Sequence, residues 1–195
     1  MSKSLRLITA MMITCVVAGT GLAITYALAA PRIAEQDRLA EERSLKAAQS
    51  EADSFEAIDD AEVLDSAAQV ALPAEITGVY RAMKGGEPIG WAVRLASRGY
   101  GGPMQLVIGL DTSGSVTGVS ILSQAETPGL GTKVLTEKDF LEQFVQLPGG
   151  FTDADVRALD VISGSTKSSN GVRNGVAAAG RVYADVLSAQ EGGAE

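Results

Sequence analysis

Histidine is absent from this chain of 195 residues, and cysteine occurs once, at Cys15. Without an imidazole there is no His-based acid–base chemistry and no His-ligated metal. A single thiol cannot close an intrachain disulfide, build a multi-Cys zinc site or hold an iron–sulfur cluster. Aromatic residues make up only 5%, and the one tryptophan, Trp91, sits in a strand-like run that suits packing better than ligand stacking. Basic side chains are outnumbered 16 to 24, a net charge of −8. The basic footprint that nucleic acid requires is missing, so no nucleic-acid partner is expected. Chemistry is left to hydroxyls, carboxylates, backbone amides or a bound cofactor.

Three apparent motifs fail on inspection. Asp111-Thr112-Ser113-Gly114 carries its glycine one place too late for an aspartic-protease signature and has no second copy; it reads as a hairpin turn. Gly164-Ser165-Thr166-Lys167-Ser168 lacks the glycine before lysine that a phosphate loop needs. A Ser-x-x-Lys nucleophile would need serine at position 164, which is glycine.

What the chain does have begins at its N-terminus. Residues 7–30 form an uncharged run of 24 between Arg6 and Arg32. As a helix that run is roughly 36 Å long at about 1.5 Å per residue, enough for a hydrocarbon core of roughly 30 Å. Lys3 and Arg6 precede it, so the N-terminus is expected in the cytoplasm and the remainder outside. The competing reading is a cleaved leader, since Ala27-Leu28-Ala29 has the small-x-small form, but the run exceeds a typical leader core. Charge then divides the chain. Residues 1–31 carry +2, residues 32–72 carry −7 and residues 73–195 carry −3. The expected organisation is a cytoplasmic end and transmembrane helix over 1–31, an acidic helical stalk over 32–72, a folded domain over 73–190 and a flexible tail over 191–195.

The folded part reads as α+β, an antiparallel sheet with helices packed on it. Runs at 76–83, 88–95, 104–110 and 116–122 predict a four-strand meander. A short helix is expected to open at Thr136 with Asp139 as a near capping box, burying Phe140, Leu141 and Phe144. Val172, Val176, Ala179, Tyr183 and Val186 predict a last helix.

Two segments stand apart. One is the loop Gln124-Ala125-Glu126-Thr127-Pro128-Gly129-Leu130-Gly131, whose glycines let backbone approach a flat ligand. The other is Asp160 to Ser169, where hydroxyls cluster at a helix start whose free N–H groups suit an anion. Lys167 adds positive charge there. In the bland alternative Ser168 or Ser169 is only an N-cap and the glycines only turn the chain.

Together with Pro31-Arg32-Ile33-Ala34-Glu35-Gln36, Tyr100-Gly101-Gly102 and Leu106-Val107-Ile108-Gly109-Leu110-Asp111, these segments resemble a known family. It is the FMN-binding domain found in the G subunit of the Rnf electron-transport complex, and in the related C subunit of the sodium-translocating NADH:quinone reductase. Ser163-Gly164-Ser165-Thr166 stands where the family has Ser/Thr-Gly-Ala-Thr. The resemblance implies covalent FMN, joined by a phosphoester to Thr166 and installed from FAD by a separate flavin transferase with a divalent metal. It implies cofactor contacts from Ser163, Gly164, Ser165, Lys167, Ser168, Glu126, Thr127, Gly129, Leu130, Gly131 and Tyr100. Gln124 lies where the family often has histidine nearby. The implied role is a periplasmic electron carrier at a bacterial inner membrane, in a complex that couples ferredoxin oxidation and NAD reduction to ion movement. The implied partners are the other membrane and iron–sulfur subunits of that complex. A membrane-tethered FMN-binding domain serving another redox chain or its regulation is the alternative.

Overall fold

The computed structural model describes residues 3–124, 126 and 131–191. The chain divides into two units, residues 1–41 and residues 42–195. Helix α1 (Lys3–Ala48) runs through the first unit and ends in the second. It is long and apolar enough to cross a membrane. Leu7, Ile8, Met11, Val16 and Leu22 are exposed along it. Three of the four threonines in that apolar stretch pair their hydroxyls within the helix. Thr9, Thr14 and Thr25 each donate to the carbonyl four residues back at 2.9 Å.

The second unit is built on a five-stranded antiparallel meander, β1 (Ser54–Ala57), β2 (Glu75–Lys84), β3 (Glu87–Arg98), β4 (Pro103–Asp111) and β5 (Val116–Ser123). The last four follow from runs rich in Val, Ile, Leu and Tyr set between Gly-rich turns. Val79 lies opposite Val93, Val93 opposite Ile108 and Leu95 opposite Leu106, so one face of the sheet is a continuous apolar ladder. Gly85 (φ 60°) and Gly86 (φ 89°) form the β2–β3 turn, where two left-handed residues are needed. Asp111 makes the β4–β5 turn. Its Oδ1 accepts from the N–H groups of Ser113 and Ser115 at 2.8 and 2.9 Å.

Residues 42–72 differ from the expected stalk. The helix continues only to Ala48, and the rest joins the folded unit. β1 pairs with β2, and α2 (Ala61–Val70), capped by Asp60, buries Val63 and Ala67 in the main core. Little marks these elements in the sequence, because β1 buries no residue fully and the short α2 buries only Val63 and Ala67. The end of α1 covers the other sheet face, with Leu45 and Ala48 packed on Ala92 and Val107. The Ala48 carbonyl accepts from Thr117 Oγ1 at 2.9 Å.

The expected helix opening at Thr136 is also different. α3 (Lys133–Thr136) closes there, and Thr136 donates back to the Lys133 carbonyl at 3.3 Å. α4 (Lys138–Glu142) and a 3₁₀ turn, Gln143–Gln146, then bury Phe140 and Phe144 edge to face, with ring centroids 5.4 Å apart. The capping box lies further on, in α5 (Asp153–Ala158), where Thr152 and Asp155 satisfy each other's backbone N–H groups. α6 (Thr166–Val182) crosses the apolar sheet face through Val172, Val176 and Ala179. A wider π turn, Tyr183–Leu187, leads to α7 (Ser188–Glu191). Residues 192–195 of the expected tail lie outside the described residues.

Candidate functional site

The start of α6 is set by one turn. Ser165 N–H donates to the Ile162 carbonyl at 2.9 Å, and Gly164 sits between them at φ 79°. Positive φ at the third turn position is the requirement that glycine meets. Ser169 N–H then donates to the Ser165 carbonyl at 2.9 Å, the first helical bond. The Ser169 hydroxyl accepts from the Ile162 N–H at 3.1 Å and locks the turn from behind. Gln143 holds the approach to it: its side-chain amide accepts from the Asp160 N–H at 2.8 Å and donates to the Asp160 carbonyl at 3.2 Å.

This geometry decides the role of the serines. Ser165 is the N-cap residue, and it makes no side-chain cap bond. Ser169 is fully buried and tied to Ile162. Ser168, 1% exposed, donates its hydroxyl to Glu126 at 2.9 Å. Neither Ser168 nor Ser169 is the simple N-cap of the bland alternative. Thr166, by contrast, is the first residue of the helix and is exposed. Its hydroxyl has no hydrogen-bond partner among the described residues.

A cleft of about 360 Å³ opens in front of this turn, lined by Tyr100, Gly131, Gly164, Ser165, Thr166, Lys167 and Ser168. Seven of the sequence-predicted positions therefore meet in one place. Lys167 Nζ lies 5.4 Å from the centre of the exposed Tyr100 ring, so a cation and an aromatic face flank the mouth. The first turn of α6 contains no acidic residue. Ser163 is exposed on the turn but does not line the cleft. Thr127, Gly129 and Leu130 lie outside the described residues.

Glu126 stands behind the cleft and is 6% exposed. Its Oε1 accepts from the Tyr100 N–H at 2.8 Å. Its Oε2 accepts from the Gly101 N–H at 3.3 Å and the Ser168 hydroxyl at 2.9 Å. One carboxylate thus joins the β3–β4 connection to the first turn of α6. Space for it depends on missing side chains: a Cβ on Gly99 or on Gly131 would come within 2.0 Å of its oxygens. Gly99 and Gln143 were not predicted for the site, and Ser169 was read only as part of the hydroxyl run or as an N-cap. No short spacing marks them, because each acts on a residue distant in sequence or on backbone.

The cleft fits a flavin nucleotide by its chemistry. Free first-turn N–H groups, hydroxyls and a lysine suit a phosphate, and glycine walls admit a flat ring. Its volume lies near the lower end for ligand pockets, roughly 300–1,000 Å³.

Comparison with known proteins agrees. Residues 99–180 match the FMN-binding domain family. The chain is 30% identical over 177 residues to the G subunit of the Na⁺-translocating ferredoxin:NAD⁺ oxidoreductase complex of Acetobacterium woodii, covering 86% of this chain and 85% of that one. It is 30% identical over 191 residues to the G subunit of the ion-translocating oxidoreductase complex of Methanosarcina acetivorans, covering 96% of each. It is 27% identical over 158 residues to the G subunit of the proton-translocating ferredoxin:NAD⁺ oxidoreductase complex of Clostridium ljungdahlii, covering 81% of this chain and 73% of that one.

Proposed function

The chain belongs to the G-subunit family of ion-translocating oxidoreductase complexes, and from that premise we propose that it carries FMN covalently on Thr166 as an electron relay. The observation that carries this reading is the contrast between two neighbouring alcohols. Thr166 presents an exposed hydroxyl at the cleft mouth, whereas Ser165 is 4% exposed. A flavin transferase approaching from solvent reaches Thr166 and not Ser165.

Attachment is a phosphoryl transfer. Thr166 Oγ1 forms a bond to the FMN phosphorus of FAD as the phosphoanhydride bond breaks; AMP leaves, and the hydroxyl proton passes to the transferase. A threonine hydroxyl is a weak nucleophile at neutral pH, and no base stands beside it among the described residues, so the transferase and its divalent metal supply activation. Thr166 and the first turn of α6 would hold the phosphodiester, and the helix dipole and Lys167 would offset its charge. Tyr100, at the cleft mouth, would stand beside the bound ring. The isoalloxazine supplies redox chemistry that no side chain here provides.

Helix α1 spans the membrane with Lys3 and Arg6 on the cytoplasmic side. The folded unit then lies on the periplasmic side of a bacterial inner membrane. There a covalent link prevents loss of cofactor into a large volume. Electrons pass through it between membrane and iron–sulfur subunits of a ferredoxin:NAD⁺ oxidoreductase.

The test is co-expression with a flavin transferase, denaturing electrophoresis and peptide mapping by mass. Wild type is expected to show flavin fluorescence that survives denaturation, with the flavin mass on the peptide containing Thr166. Thr166→Ala should reduce it to background, and Thr166→Ser should retain part of it. Full incorporation into Thr166→Ala through Ser165 would refute the assignment.

A further inference from the structure

Glu126 is the one strongly buried carboxylate among the described residues, and attachment at Thr166 makes no use of it. Its position relative to the cleft is defined by two wall residues. Ser168 and Gly131 both line the cleft; the Ser168 hydroxyl donates to Oε2, and a Cβ on Gly131 would lie 2.0 Å from that same oxygen. The carboxylate is therefore one layer behind the wall. It faces three donors there, two backbone N–H groups and a hydroxyl, and no cation partners it among the described residues.

We infer that Glu126 is a positioning and potential-setting residue for the flavin. It holds the Tyr100 turn against the first turn of α6, and its charge lowers the cofactor's midpoint potential. This rests on the reading of the cleft as the flavin site. The physical basis is that a negative charge behind a low-dielectric wall acts more strongly than one in water. A fixed anion there opposes the addition of electrons to a flavin held in front of it. The hydrogen bonds and the charge are separable. Glu126→Gln keeps the shape and an acceptor oxygen while removing the charge. Ser168→Ala keeps the charge but removes one donor that offsets it.

The experiment uses the full-length chain matured with a flavin transferase, with flavin content read by mass and midpoint potential by spectroscopic titration. Glu126→Gln is expected to shift the potential to more positive values, and Ser168→Ala to shift it to more negative ones. A purely structural brace predicts that both variants lose flavin or thermal stability together, without opposed shifts. An unchanged or lowered potential in Glu126→Gln overturns the inference. If Glu126→Gln takes up no flavin, Ser168→Ala decides: a negative shift supports the inference, and no shift or a positive one overturns it. Absence of flavin from wild type is a different result, and it sinks the parent reading before any variant is made.

Discussion

Glycine enters this site for two unlike physical reasons, and substitution separates them. At Gly164 the backbone is left-handed at φ 79°, yet an added Cβ would meet nothing within 4 Å. The constraint is torsional, of about 1–2 kcal/mol for an ordinary residue. Asparagine tolerates that region far better than a β-branched residue. Gly164→Asn is therefore expected to take up covalent flavin at close to the wild-type level. Gly164→Val should lose most of it, because the turn that presents Thr166 no longer closes. Flavin fluorescence after denaturation reads both, and equal incorporation in the two variants would exclude a torsional role. At Gly131 no positive φ applies, and the obstacle is the Glu126 carboxylate 2.0 Å from a Cβ. The hydroxyl cluster and the glycines of this site were legible in the sequence, since helix starts and turns use local residue types. The Glu126–Ser168 bond was not, because it spans 42 positions and leaves no local pattern.

Between elements, the site depends on how closely α6 approaches the sheet. A Cβ at Gly175 would lie 2.5 Å from Leu106 Cδ1, a side-chain tip that can rotate away. At Gly171 it would also lie 2.8 Å from the Arg98 carbonyl oxygen, which is backbone and cannot yield. Glycine to alanine gains up to about 1 kcal/mol of helix propensity, while overpacking costs about 1–3 kcal/mol. Gly175→Ala should come out near neutral in thermal melts. Gly171→Ala should lose about 1–2 kcal/mol on the same balance and pull α6 away from the Tyr100 turn. A second element-level prediction concerns α5. Hydrogen bonds from the Thr152 side chain and backbone hold the Asp155 carboxyl below the ordinary aspartate range. The folded value is depressed, so its stabilisation is present above the unfolded aspartate value and disappears as pH falls through the folded one. Asp155→Asn should be less stable than wild type at pH 7 in urea titrations, and the difference should shrink in acid. A gap that stays constant down to low pH would assign the effect to something other than this carboxylate. Strands β2 to β5 were readable because runs rich in Val, Ile, Leu and Tyr stand between Gly-rich turns. β1, with its burial confined to a partly covered Phe55, and the alanine-rich α2 offered no such run.

For the molecule as a whole, that unreadable stretch turns out to complete the folded unit. A boundary drawn at Pro73 from composition separates the acidic residues from the apolar strands, but it cuts through the core. Leu45, Val63 and the alanines at 48, 52, 67 and 71 are all buried. Gly109 and Gly118 leave room for the end of α1: a Cβ on either would come within 2.5 Å of the Ala48 carbonyl oxygen. Arg181, on α6, donates to the carbonyls of Val70 and Leu72 at 2.9 and 2.8 Å, closing the end of α2. At about 1.5–3 kcal/mol for each buried valine or leucine and about 0.8 for each alanine methyl, the stretch contributes on the order of 6–9 kcal/mol. Domains of this size are stable by only about 5–15 kcal/mol. A fragment of residues 42–195 is therefore expected to melt cooperatively and to accept covalent flavin from a transferase in solution. A fragment of residues 73–195 should show no cooperative melt by circular dichroism and take up little flavin, although it retains Thr166, Glu126 and every residue that lines the cleft. A cooperative melt in the shorter fragment would mean that the sheet and α6 stand alone, and that residues 42–72 serve only as the spacer their composition resembles.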